Sequence, residues 1–155
     1  MIRADKNYDE SEKLAQEKAR NNMWCVISDT SYEGYTVTPK YVLNVYEVKA
    51  YEAVIRQNVK PTQVYLQSGA GNLVAGVTVN LSHNLDYAPR TILVDPENTD
   101  CWIQSLKHQK PLVCEGSLDT YRAGIACRTI SWVARNILNK TIEDSISISD
   151  LDAAK

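Results

Sequence analysis

The 155-residue sequence lacks any excess of basic charge: 17 Lys and Arg stand against 19 Asp and Glu, for a net charge of −2. A nucleic-acid-binding face is therefore not expected. Its longest apolar stretch, around Leu73 to Val79, is too short to cross a bilayer. The opening residues, MIRADKNYDESEKL, do not run from positive charge into an apolar core as a secretory leader does. The four cysteines (Cys25, Cys101, Cys114, Cys127) form no C-x-x-C pair, and His83 and His108 fall in no metal-ligand spacing. Reduced, mostly buried thiols are expected, and no metal site. A G-x-S-x-G elbow is missing too, and neither histidine has an obvious serine or cysteine partner, so spacing gives covalent catalysis no support. These absences together describe a soluble, cytoplasmic protein with neither nucleic acid nor membrane as a partner.

What the sequence does contain is the ordinary material of one domain: 44% apolar residues, 23% charged, and no internal repeat or low-complexity linker. NYDESEKLAQEKARNN reads as a helix with Asn7 as its cap and Glu10 reaching back in a capping box. WCVIS, Trp24 to Ser28, is rich in β-formers and predicts a strand. A helix is predicted from Pro39, capped by Thr38, giving way near Asn58. Strands follow at Gln63–Gln67 and Thr91–Asp95, with a helix between them running to about His83. Beyond them the predicted order is a helix over 98–107, a short strand PLVCE, a turn and helix over 117–127, a helix over 131–140, and a strand over 145–148. Met1 to Arg3 reads as the stub of a strand and 150–155 as the first turns of a helix, so both ends are expected to cut through elements. Strands alternating with helices predict an α/β fold with a partly parallel sheet flanked by helices.

The stretch QVYLQSGAGNLVAGV, residues 63–77, runs from strand through a glycine turn into a helix. A dinucleotide fingerprint requires a third glycine, but Val74 occupies that position after Gly69 and Gly71. A P-loop requires a lysine after its last glycine, but Val77 follows Gly76. What remains is a set of backbone N–H groups at a helix N-terminus, suited to a single phosphate. On this stretch alone, a tight turn with no ligand is the equal alternative. Asp29, just past WCVIS, lies where α/β sheets place ligands and could hold an amine or move a proton; a turn cap is the plainer role for it.

Five segments in order, KNYDESEKLAQEKA, WCVISDTSYEGY, PTQVYLQSGAGNLVAGV, ILVDPENTDC and GSLDTYRAGIAC, together resemble one family. They look like the central and later parts of the diaminopropionate ammonia-lyases. These are pyridoxal-phosphate enzymes of the tryptophan synthase β-like fold (fold type II), which also includes the threonine dehydratases. The resemblance covers nearly the whole chain. It implies that Gly69, Ala70, Gly71 and Asn72 wrap the cofactor's 5′-phosphate, and that Asp29 handles the substrate amine or its proton. It also implies pyridoxal 5′-phosphate as cofactor, 2,3-diaminopropionate or a similar amino acid as substrate, and pyruvate and ammonia as products.

The departures from the family pattern carry equal weight. The Schiff-base lysine of the family lies in an N-terminal segment without a counterpart here, and none of the chain's lysines, Lys40, Lys60 and Lys107 among them, falls at a matching motif. The D-G-N-H-G-type loop and the region that gives the pyridine nitrogen a hydroxyl partner are missing as well. After A-G-x-A-C the family often continues G-E-P; this chain has Arg128, Thr129 and Ile130, and Arg122 replaces a methionine-like residue. Residues 1–155 are thus expected to form one partial lyase-like domain, truncated and catalytically incomplete. The alternative is a non-enzymatic phosphate- or cofactor-binding protein that forms a homodimer or associates with a full-length subunit.

Overall fold

Residues 63–67 and 90–96 concentrate apolar and β-branched side chains between turn signals, and both become strands. The computed structural model, which describes residues 3–142 and 144–155, pairs them in parallel as β1 (Gln63–Gln67) and β2 (Arg90–Pro96). A third parallel strand, β3 (Asp144–Ile148), lies on the other side of β2. Gln67 stands opposite Val94, and Ile92 opposite Asp144. Central β2 is buried along most of its length, whereas β1 alternates with its glutamines and Tyr65 exposed. That difference is the one expected between the middle and the edge of a parallel sheet.

The helices are α1 (Tyr8–Asn22), α2 (Val37–Ala50), α3 (Asn72–Asn84), α4 (Cys101–Lys107), α5 (Trp132–Leu138) and α6 (Asp150–Ala153). Asn7 and Glu10 close the capping box of α1: the Asn7 side chain accepts the Glu10 amide at 2.9 Å, and Glu10 accepts the Asn7 amide at 3.4 Å. Helix α3 leaves β1 through the glycine turn and packs against α2 and α5. Its approach to α2 is close because Gly76 has no side chain; a Cβ there would lie 2.6 Å from the Leu43 carbonyl. Val74, Leu93, Trp102 and Leu138 form the fully buried centre of the main core, and Ala50, Val77 and Leu81 form a second cluster.

Several sequence expectations are corrected. WCVIS is not a strand: it runs without pairing, with Trp24 59% and Ile27 80% exposed. The Tyr35 hydroxyl accepts the Ser28 amide at 2.9 Å and donates to the Val26 carbonyl at 3.0 Å, so a side chain occupies groups that a neighbouring strand would use. PLVCE is not a strand either, since its amides go to the Ser105 hydroxyl (from Leu112) and the Arg128 carbonyl (from Cys114). The helix expected over 117–127 shrinks to one 3₁₀ turn, Ala123–Ile125. Asp150 takes the Tyr121 amide and the Thr120 hydroxyl takes the Arg122 amide, which removes both from helical bonding. Helix α2 starts at Val37, so Thr38 lies inside its first turn and is not the cap; α2 continues beyond Ala50 as a π-helical turn, Tyr51–Ile55. The segment expected as a helix from 98 opens with a 3₁₀ turn, Glu97–Thr99, because Asp100 departs from helical geometry. Of the strand stub expected at the start, Met1 and Ile2 lie outside the described residues and Arg3 is in no strand. Of the thiols, Cys101 and Cys114 are buried, Cys127 is half-buried and Cys25 is exposed.

Candidate functional site

The turn between β1 and α3 directs its backbone dipoles in one sense. Every carbonyl from Ser68 to Gly71 receives a donor from within the protein. Ser68 O accepts the Gly71 amide at 2.8 Å, Gly69 O the Cys101 thiol at 3.8 Å, Ala70 O the Ser131 amide at 2.9 Å, and Gly71 O the Ala75 amide at 2.9 Å. By contrast, the amides of Gly69, Asn72, Leu73 and Val74 find no acceptor among the described residues. A run of unmatched N–H groups at the positive end of a 13-residue helix is an anion nest.

Two features hold the nest in shape. Gly71 has φ +96°, and a Cβ on it would lie 2.2 Å from the ring of Trp102, which is fully buried. The residue must therefore be glycine on both conformational and steric grounds. At the base of the loop the Ser68 hydroxyl donates to the carboxylate of Asp95, the fully buried acid near the end of β2.

Asp29 reaches the same place from the unpaired segment. Its backbone carbonyl accepts the Asn72 side-chain amide at 2.8 Å, which ties it to the first residue of α3. Its carboxylate accepts the Tyr8 hydroxyl at 3.0 Å and the Thr30 hydroxyl at 3.2 Å. Burial, with the nearby Asp29 charge, pushes the Tyr8 phenol up to about 12, so it stays a donor at neutral pH. The other oxygen-bearing end of Asn72 is buried and has no partner among the described residues.

The facing wall is the Ala123–Ile125 turn followed by Cys127, whose thiol burial pushes up to about 12. Arg122 pins that wall: Nε donates to Asp150 at 2.9 Å, and Nη2 donates to the Ile148 carbonyl at 2.8 Å. This arginine thus fastens the loop to the end of the sheet.

The five predicted site residues, Asp29, Gly69, Ala70, Gly71 and Asn72, line one cleft of about 360 Å³. Sequence reasoning missed other contributors. Lys49, in the last turn of α2, lines the cleft beside the loop and has no ion-pair partner among the described residues. No motif marks it, and only the packing of α2 on α3 brings it there. Ser31 and Ser131, 100 positions apart, were also missed. Their hydroxyls are 2.6 Å apart, the Ser31 hydroxyl accepts the Val133 amide at 2.8 Å, and Ser131 donates its amide to Ala70. This buried knot ties the Asp29 segment, the loop and α5 together. Ser31→Ala leaves the Val133 amide unmatched, and a loss of about 1–3 kcal/mol in urea denaturation is expected.

Among the described residues no group of three or more His, Cys, Asp and Glu could hold a metal ion, and no helix is long and apolar enough to cross a membrane. The strand-to-helix turn lies at the carboxyl ends of a parallel sheet, with an acid and a lysine on its rim, the kind of place where α/β folds put ligands. Residues 1–155 match the family described as pyridoxal-phosphate dependent enzyme, and the chain belongs to that family. It is 34% identical over 160 residues to diaminopropionate ammonia-lyase of Escherichia coli (strain K12), covering 99% of this chain and 39% of that relative. The chain therefore spans about two-fifths of the length of the curated relative it matches. The crystal structure of the holo enzyme from Escherichia coli superposes with a TM-score of 0.81 at 32% identity, over 97% of this chain and 38% of that one. The processed threonine deaminase isoform 2 of Solanum lycopersicum shares the fold, with a TM-score of 0.77 at 19% identity, over 96% of this chain and 40% of that one. The architecture is thus that of the fold type II pyridoxal-phosphate enzymes, and pyridoxal phosphate is the cofactor that membership implies. The phosphate end of that group suits what is present here: unmatched backbone amides and a nearby cation.

Proposed function

We propose that this chain holds the phosphate of pyridoxal phosphate on residues Gly69–Asn72, as part of a lyase that converts 2,3-diaminopropionate to pyruvate and ammonia. The observation that carries this reading is the sorting of the loop's backbone, with every Ser68–Gly71 carbonyl engaged and the amides of Gly69 and Asn72 to Val74 left for an anion. Lys49 adds the countercharge that the loop itself lacks. Asp29, fixed through Asn72 and Tyr8, accepts a proton from the substrate amine or holds the amine as an ion pair. When bound, the cofactor supplies an electron sink for a carbanion beside the amino group. The family's lysine has no matching residue in this sequence, so the chain by itself binds without turning over.

The test uses the purified chain and pyridoxal phosphate, followed by tryptophan fluorescence, with ammonia and pyruvate measured from diaminopropionate. Saturable binding, competed by inorganic phosphate and weakened about tenfold by Lys49→Ala, is the expected result. Failure to bind the cofactor overturns the assignment of the loop, whereas pyruvate formation overturns the claim that the chain alone is incompetent. Exposed Met23, Trp24 and Ile27, beside an apolar groove against α1, favour a second role in subunit association. A strict monomer that does not associate with a full-length lyase subunit excludes that role.

A further inference from the structure

Asp95 lies directly under the glycine loop and is 0% exposed. One carboxylate oxygen accepts the Ser68 hydroxyl at the root of the loop, and the other has no hydrogen-bond partner among the described residues. Ser68 also donates its amide to the Val94 carbonyl and accepts the Gly71 amide, so the residue touching Asp95 is the one that closes the turn. The groups facing Asp95 come from several elements: Asp100 at the head of α4, Arg122 from the loop before the 3₁₀ turn, and the thiols of Cys101, Cys114 and Cys127. The Ser68 hydroxyl, the Trp102 backbone amide and the Arg122 charge favour an ionised Asp95, but burial and the Asp100 carboxylate act against it. An anion on the amides above it makes that worse.

We propose that Asp95 is a positioning residue under the loop whose proton controls phosphate binding: it accepts the Ser68 hydroxyl in either form; neutral, it lets the nest take a phosphate, and ionised, it opposes the anion, so that binding takes up one proton at Asp95. The inference rests on the phosphate reading of Gly69–Asn72. Burial first, then the Asp100 charge, pushes the Asp95 carboxyl up to about 7, while the Ser68 hydrogen bond, the Trp102 backbone amide and Arg122 oppose that rise. Both forms are therefore present near neutral pH, which is the condition for such coupling. The proton comes from solvent and returns to it when the phosphate leaves.

Calorimetric titration of the full chain with pyridoxal phosphate and with sulfate, each in two buffers of different ionisation enthalpy, tests this from about pH 6 to about pH 9. Sulfate does not titrate in this range, so any proton counted with it belongs to the protein. The wild-type affinity for sulfate is expected to fall about tenfold per pH unit above the Asp95 transition, with proton uptake approaching one per ligand. Asp95→Asn is expected to bind sulfate with no pH dependence and no proton uptake. Ser68→Ala removes the bond that favours the ionised form, so it moves the fall to higher pH even if the Asp95→Asn variant does not fold. A wild-type slope retained in Asp95→Asn, or left unmoved by Ser68→Ala, overturns the role of Asp95 alone. Absence of binding of both probes at every pH overturns the phosphate reading and this inference with it.

Discussion

Gly71→Ala is expected to lower the unfolding free energy by about 2–5 kcal/mol, a large share of the stability of an ordinary domain. Two independent costs meet at this position. With φ at +96°, any L side chain is strained by about 1–2 kcal/mol. The added methyl would also lie 2.2 Å from Trp102 Cζ2 and 2.7 Å from Cε2, and the ring is 0% exposed among core side chains. Forcing room in a filled core costs about 1–3 kcal/mol. For a chain of this length the melting temperature should drop by about 10 °C. Trp102→Leu alone opens a cavity and destabilises, yet it also removes the obstacle to the methyl. The double variant should therefore lose less than the sum of the singles, a coupling that urea denaturation of all four proteins would resolve. Additive losses would show that the methyl and the ring do not meet.

How far the sequence reveals this site depends on how local each cause is. The strand at Gln63, the glycine turn and α3 are set by neighbouring residues, so periodicity and turn chemistry locate them nearly to the residue. The same logic misreads Trp24–Ser28. β-formers state that a segment suits a pleated surface, and they cannot supply the neighbour that makes it a strand. In this chain the Tyr35 hydroxyl occupies that segment's backbone instead. The helix expected over 117–127 fails for a related reason, since the acid that takes its amide is Asp150, 29 positions from Tyr121. Site residues follow the same division. Gly69 to Asn72 are visible because the loop carries its own pattern, whereas Lys49 enters the cleft only through helix packing. Ser31 and Ser131 are ordinary serines until the fold sets their hydroxyls against each other. Asp95 reads simply as the acid before a proline that ends a strand; its importance comes from Ser68, 27 positions earlier.

Stability should fall as pH rises from about 4 to about 7, and Asp95→Asn should remove most of that fall. The Asp95 carboxyl titrates at about 7 in the folded chain against an ordinary 3.8, because burial penalises its charge. Between those values the native state keeps a proton that the unfolded chain has already lost. With more protons bound in the native state, the unfolding free energy decreases with pH across the window and levels off above it. A separation of about three pH units corresponds to about 4 kcal/mol for a group with no solvent access. Glu12, whose carboxyl is also raised by burial, adds to the trend, and Asp150, lowered first by the Thr120 hydrogen bond, opposes it at lower pH. Neither contacts Asp95 by a hydrogen bond, so subtracting the wild-type curve from that of the variant removes both. Asn is close in size to Asp, and its amide carbonyl can still accept the Ser68 hydroxyl. The two proteins should therefore be nearly equal in stability near pH 4, while at pH 8 the variant should be the more stable by about 3 kcal/mol. Urea titrations at both ends of the range decide it: parallel curves would mean that Asp95 ionises in the folded chain as it does in water.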